Sequence, residues 1–167
     1  FQAGSEVSLN ELATQLGVDV KTVNRYLDLL EKAFVIHRLS GFSRNLRQEV
    51  TTKSKYYFFD NGIRNALIAQ FNGLEDRNDI GALWENFLMG ERLKYRTYHG
   101  HYANAYFWRT YQNQEIDLIE EHSGKLFGYE FKWSPNKAVS PPSLWRGTYP
   151  ESSFCVIHSE NYLDFVL

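Results

Sequence analysis

The chain has 167 residues, of which 43% are hydrophobic and 16% aromatic, a length and apolar content that suit one ordinary domain or two small ones sharing an interface and exclude a disordered chain. Its 18 basic and 20 acidic residues leave a formal net charge of -2, which excludes attachment to nucleic acid through the overall field of the protein. Any such contact has to come from a local basic patch.

The single cysteine, Cys155, lies in the apolar run Phe154-Cys155-Val156-Ile157 and is expected to be a buried strand residue. With no disulfide framework, the compartment reads as reducing. No signal-like segment and no run of membrane-spanning length is present, so the chain reads as cytoplasmic, without a membrane partner. The start at Phe1 without an initiator methionine and the apolar stop at Leu167 read as cut ends.

Ser8 and Glu11 form a capping-box pattern for a helix carrying Leu9, Leu12, Ala13 and Leu16 as its buried stripe, with Gly17 ending it. Asp19 caps a second helix running to about Lys32, with Val23, Tyr26 or Leu27, and Leu30 expected to face the first. Two helices joined by Gly17-Val18 make a helix-turn-helix pattern. The helix that would complete a three-helix core is expected before Phe1.

From Phe34 to Leu39 the composition changes to that of a strand, and Tyr56 to Phe59 is another. Such a hairpin behind two helices is a wing, with Arg44, Arg47, Lys53 and Lys55 on its tip and Glu49 among them. A short helix is expected from Ile63 to Phe71, and the polar cluster Asn72 to Asp79 marks a domain boundary. Beyond it come a helix from Ile80 to about Tyr95 and strands at Ala105–Trp108, Glu115–Glu120, Phe127–Trp133 and Phe154–His158. A short helix near Ser143, ending before Pro150, precedes the last strand. The fold class is mixed α/β.

The turn His122-Ser123-Gly124-Lys125 makes neighbours of the two middle strands and brings Asp117 towards Glu130. Strand alternation puts Asp117 opposite Ile116 and Leu118, and sets Gly128, Glu130 and Lys132 against Phe127, Tyr129 and Phe131. Two carboxylates hold a hard divalent cation through oxygen, and a neighbouring ammonium orients water or steadies charge on a phosphate. The same residues also suit an exposed cross-strand charge arrangement, so both readings stand on pattern alone. Glu85 lies on the preceding helix. Trp84, Phe107 and Trp108 read as core, and His99 and His101 as loop residues without matching metal ligands.

Asp117 followed by Glu130-Phe131-Lys132 resembles the Asp…(Asp/Glu)-x-Lys signature of the PD-(D/E)XK nuclease superfamily, with Glu85 in the place of that superfamily's helix glutamate. More closely, the chain is similar to the C-terminal part of prokaryotic AAA-type ATPases carrying a DUF4143 domain. The resemblance rests, in order, on Lys55-Tyr56-Tyr57-Phe58-Phe59-Asp60-Asn61-Gly62-Ile63, Gly81-Ala82-Leu83-Trp84-Glu85-Asn86-Phe87, Phe107-Trp108-Arg109-Thr110, Gln114 to Ile119, and Tyr129-Glu130-Phe131-Lys132. It implies a winged helix over residues 1–60, a connector over 61–78 and a restriction-endonuclease-like mixed-sheet core over 79–167.

By that resemblance Asp117 and Glu130 would bind Mg2+ or Mn2+, with the Phe131 carbonyl as a further ligand. Lys132 would position or activate water, and Glu85 would complete the catalytic set. An ATPase domain of the same protein is the implied partner. No Gly-x-x-x-x-Gly-Lys-(Ser/Thr) sequence occurs here, so ATP would bind only through that other domain. Lys21, Thr22, Asn24 and Arg25 on the second helix, the four basic wing residues, Lys94 and Arg109 are the candidate nucleic-acid contacts. The expected function is a nucleic-acid-interacting module with metal-dependent phosphodiesterase activity. A non-catalytic regulatory or protein-interaction module and a DNA-binding adaptor are the alternatives.

Overall fold

The computed structural model describes residues 3–44, 49 and 53–167. A short strand β1 (Glu6–Val7) leads into helices α1 (Leu9–Leu16) and α2 (Val20–Lys32), then strands β2 (Ile36–Gly41) and β3 (Ser54–Phe58). Helix α3 (Asn61–Leu67), a 3-10 turn (Leu74–Asp76) and the long helix α4 (Ile80–Tyr98) follow. Strands β4 (Asn104–Arg109), β5 (Glu115–His122) and β6 (Lys125–Phe131) form a meander. Helix α5 (Ser143–Thr148), strand β7 (Ser153–Ile157) and helix α6 (Leu163–Val166) complete the mixed α/β fold.

Local chemistry accounts for the first helices. The Ser8 side chain accepts from the Glu11 amide at 3.4 Å, and Gly17 closes α1 in the left-handed region at φ 66°, where a Cβ would be strained. Asp19 caps α2 by accepting from the Thr22 amide at 2.9 Å and from its hydroxyl at 2.7 Å. The buried line of this pair is narrower than the sequence pattern suggests. Ala13 and Val23 are buried, and Leu12 and Leu27 pack on the cluster of Val7, Ile36 and Tyr56. Tyr26, Leu30 and Leu16, expected inside, are exposed: the two short helices have one covered face, against β1 to β3.

All seven strands join one sheet in the order β1-β3-β2-β4-β5-β6-β7. The β2–β3 hairpin is therefore not a free wing. Ser40 and Gly41 of β2 pair in parallel with Tyr106 and Phe107 of β4, and Glu49 bridges Thr110. Glu49, only 2% exposed, accepts from the Trp108 indole at 2.7 Å and the Tyr149 hydroxyl at 2.6 Å, fastening the segment after β2 onto α5. The basic tip read from the sequence contains a buried acceptor.

The sheet is covered on both faces. Leu39, Tyr57, Leu88, Phe107, Leu118, Phe131 and Phe165 pack between the strands, α4 and α6. Phe42, Trp108, Ile116, Ile119, Trp145 and Tyr149 pack on the other side, under α5. Each large apolar side chain fully withdrawn from water here contributes roughly 2 to 3 kcal/mol. The buried Trp84, Phe107 and Trp108 agree with their reading as core. Cys155 departs from expectation: it is exposed, because β7 is the edge strand and the four-residue α6 covers Ile157 but not the middle of that strand.

A bulge sets the site. Tyr106 pairs with Ile119 and Trp108 with Ile116, so Phe107 alone on β4 stands against both Asp117 and Leu118 on β5. The extra residue breaks the strict alternation read from the sequence. Ile116 joins the α5 side of the core, whereas Leu118 joins the α4 side. Bulges bend a strand and re-aim its side chains, and here the residue re-aimed is Asp117.

Candidate active site

The β5–β6 hairpin turns through Ser123 and Gly124, both at positive φ (51° and 75°), with His122 paired to Lys125. This is the two-residue turn that matches strand twist. Its register carries Leu118 opposite Tyr129, so the next step places Asp117 beside Glu130. There the ladder ends, and the Phe131 amide donates to the Asp117 carboxylate at 2.8 Å instead of to a backbone carbonyl.

Around this pair lies a polar cavity of about 380 Å³, lined by Gly4, Ser5, Glu6, Lys55, Glu85, Arg109, Glu115, Asp117, Glu130 and Lys132. The sequence-predicted Glu85, Asp117, Glu130 and Lys132 all reach it. Glu85 comes from the first turns of α4, Asp117 from the β5 bulge, and Glu130 and Lys132 from the end of β6. Arg109, at the end of β4, also lines it, bonded to Asn113 at 2.9 Å and paired with Glu6 at 3.2 Å and Glu115 at 3.8 Å.

Three further side chains belong to the site and escape the sequence reading. Lys55, expected on an exposed wing tip, is 3% exposed; its ammonium lies 2.5 Å from Glu115 and 3.5 Å from Glu85. Tyr57, fully buried on the same strand, donates its hydroxyl to Glu85 at 2.7 Å. Glu115 stands two residues before Asp117. The available signal is a lysine directly before the run Tyr56 to Phe59, in the same strand.

The lining holds five carboxylates and three cations, and Lys53 outside it pairs with Glu6 at 3.5 Å, which leaves one surplus negative charge. The imbalance falls on Asp117. Burial first, then the charge of Glu85, pushes its carboxyl up to about 7, against the opposing pull of Lys55, the Phe131 amide and Lys132. Burial and Asp117 likewise raise Glu130, which Lys132 partly offsets from 2.5 Å. Burial alone would lower the Lys55 ammonium, but Glu85, Glu115 and Asp117 outweigh it and hold that group firmly charged. Among the described residues no three His, Cys, Asp or Glu side chains are gathered as a ready metal cage; Lys55 and Lys132 stand between the carboxylates.

Apart from Lys53, whose partner Glu6 lines the cavity, the other described candidate contacts lie outside it. Lys21, Asn24 and Arg25 are exposed on α2, while Thr22 is half-buried and spent on the Asp19 cap. Arg44 pairs with Glu121 at 2.7 Å, Lys53 with Glu6 at 3.5 Å and Lys94 with Glu91 at 2.6 Å. Arg47 lies outside the described residues. Among the described residues no helix is long and apolar enough to cross a membrane.

Fold and cavity together define a mixed α/β protein with helices on both sheet faces and an acid-rich pocket where α4 meets the strand ends. A DUF4143 domain, a domain of unknown function, occupies residues 80–161, and residues 1–75 match DUF8612, another domain of unknown function. The two matched regions meet between residues 75 and 80, and the sheet runs across that point. An uncharacterized protein of Mycobacterium tuberculosis and one of Mycobacterium bovis are each 32% identical to this chain over 136 residues. The alignment takes in 78% of this chain and 29% of either relative. The chain thus spans under a third of the length of the curated relatives it matches. No solved structure matches it.

Proposed function

We propose that residues 79–167 are a restriction-endonuclease-like core of the PD-(D/E)XK type, that residues 1–60 are a winged helix joined to it through 61–78, and that the cavity is a divalent-cation-dependent phosphodiester-hydrolysing site. The observation that carries this reading is the convergence of Glu85, Asp117, Glu130 and Lys132 on one cavity in which carboxylates outnumber cations. The element order supports it: α4, three antiparallel strands, α5, and β7 parallel to β6.

The chemistry of the donor set suits a hard cation, since the surplus groups are carboxylates and hard cations take oxygen ligands, with Lys55 and Lys132 as the cations an ion would have to displace. Asp117 and Glu130 would hold Mg2+ or Mn2+, with the Phe131 carbonyl as a further oxygen and Glu85 behind them. When bound, the ion supplies Lewis acidity to the phosphate and lowers the pKa of attacking water. Lys132, steadied by Glu130, orients that water towards phosphorus. Water oxygen bonds to phosphorus, the bond to the leaving ester oxygen breaks, and a proton from the water passes to solvent as another returns to the leaving oxygen. In the longer protein, an ATPase domain beyond this chain is the proposed partner and the place where ATP would bind.

A second reading follows from the ion pairs. Lys55, Lys132 and Arg109 already partner Glu115, Glu130 and Glu6, which suits a non-catalytic regulatory or interaction module, or a DNA-binding adaptor using α2. One experiment separates them: incubation of single- and double-stranded DNA and RNA with Mg2+ or Mn2+, comparing the chain with Asp117→Ala. Cation-dependent cleavage lost in the variant is expected. Intact nucleic acid throughout the panel would leave the regulatory reading.

A further inference from the structure

We propose that Arg109 and Lys53 form a subsite for one phosphate of a nucleic-acid strand, and that Glu6 is its resident occupant, a carboxylate of this chain that the phosphate displaces; this rests on the phosphodiester-site reading above. Glu6 belongs to β1, and its carboxylate lines the cavity with Oε1 3.2 Å from the Arg109 guanidinium and Oε2 3.5 Å from the Lys53 ammonium. Arg109 ends β4 and Lys53 directly precedes β3, so one carboxylate spans two cations from separate segments. A phosphate offers a pair of oxygens to a guanidinium and an ammonium in the same way.

Glu6 is the carboxylate of the cavity best placed to leave. Its side chain is 9% exposed, yet Oε1 makes no hydrogen bond among the described residues. A buried carboxylate oxygen in that state is costly, and the cost disappears when the group turns out to water. The others are held closer: Glu115 by Lys55 at 2.5 Å, Glu130 by Lys132 at 2.5 Å, Glu85 by the Tyr57 hydroxyl at 2.7 Å and Asp117 by the Phe131 amide at 2.8 Å. β1 itself need not move, since its backbone pairs with Lys55 and Ser54 and the buried Val7 anchors it. Rotation about the side-chain bonds of Glu6 is enough. Arg109, 30% exposed, and Lys53, 39% exposed, both reach solvent, where a strand arrives, and Asn113 keeps its bond of 2.9 Å to Arg109 throughout. A phosphodiester carries the same single negative charge as Glu6, so the exchange leaves the charge beside Asp117 unchanged and lets an acid-rich cavity accept an anion.

The test is binding of a labelled single-stranded oligonucleotide to the full chain in EDTA at one fixed salt concentration, read by fluorescence anisotropy, with circular dichroism as the check on folding. Glu6→Gln keeps the shape of the side chain and removes its charge. It is expected to bind about tenfold tighter than the wild type, and adding either Arg109→Gln or Lys53→Gln to it should abolish that gain. Equal affinity of Glu6→Gln and wild type, a gain that persists in a folded double variant, or no binding by any of these chains would overturn the inference. Cleavage in Mn2+, measured on the same chains, keeps the two claims apart. Cleavage by the wild type with no gain in Glu6→Gln binding strikes the subsite and leaves the phosphodiester site. A gain that depends on Arg109 or Lys53, with no cleavage by any chain, removes hydrolysis and leaves the subsite.

Discussion

Two buried ion clusters lie on the sheet, and they differ in balance. In the first, Arg92 of α4 grips Glu120 of β5 by two bonds, at 3.0 and 2.7 Å, and gives a third donor to the Phe165 carbonyl at 2.7 Å. Its guanidinium also covers the Phe165 ring at 4.5 Å. Both oxygens of Glu120 are taken up, with Arg96 of α4 a second cation 3.6 Å away, so the cluster ties α4, β5 and α6 together and leaves no free carboxylate oxygen. In the second, around Asp117, carboxylates outnumber cations and one of them is pushed towards its protonated form. A buried carboxylate fully taken up by guanidinium groups serves architecture; a site with surplus carboxylates is poised for a ligand that brings positive charge.

The largest effect expected on this contrast comes from unbalancing the first cluster. Arg92→Met leaves Glu120, 1% exposed, with only the more distant Arg96 at 3.6 Å. Unfolding in denaturant should show a loss of roughly 3 to 5 kcal/mol, with most of it restored when Glu120→Leu is added. A loss well under 1 kcal/mol in the single variant would mean that the pair is not the architectural element described.

The second cluster should respond in the opposite direction. A carboxyl raised from 3.8 to about 7 in the folded protein binds its proton more tightly there than in the unfolded chain. Stability attached to Asp117 is then highest at low pH and falls as pH rises from about 4 through about 7. Asp117→Asn keeps an oxygen for the Phe131 amide and removes the charge. It is expected to gain stability at pH 8, by an amount on the order of a few kcal/mol, and to flatten that fall, while losing cleavage and Mn2+ binding. Parallel pH profiles for variant and wild type would show that the surplus charge is not on Asp117.

The contrast was only half legible in the sequence. Asp117 and Glu130 were brought together correctly because a two-residue turn fixes the register of their strands, and strand register is local information. Ser8, Gly17 and Asp19 marked their helix ends for the same reason. What escaped depends on contacts between distant segments. Glu6 and Val7 form a strand only by pairing with Lys55 and Ser54, and two residues carry no period of their own. Lys55 reads as a wing cation because the aromatic run after it shows a strand but not that the strand is enclosed by neighbours on both sides. The bulge at Asp117 appears only against β4, and the exposure of Cys155 only once β7 is an edge. Balance in an ion cluster is a property of the assembled fold.

The smallest expected effect supplies the reference against which the clusters are judged. Gly17 ends α1 at φ 66°, and a Cβ built there meets no atom within 4 Å, so Gly17→Ala changes backbone strain and little else. It should cost about 1 kcal/mol. Because no titrating group is involved, that cost should be the same at pH 5 and pH 8, giving a stability curve parallel to the wild type's. Its shape against pH, set beside the flattened curve of Asp117→Asn, separates a loss of backbone fit from a change in the charge of the cavity. A Gly17→Ala curve that converged on the wild type at one end of the range would tie the helix pair electrostatically to the cavity, and the two regions would no longer be independent.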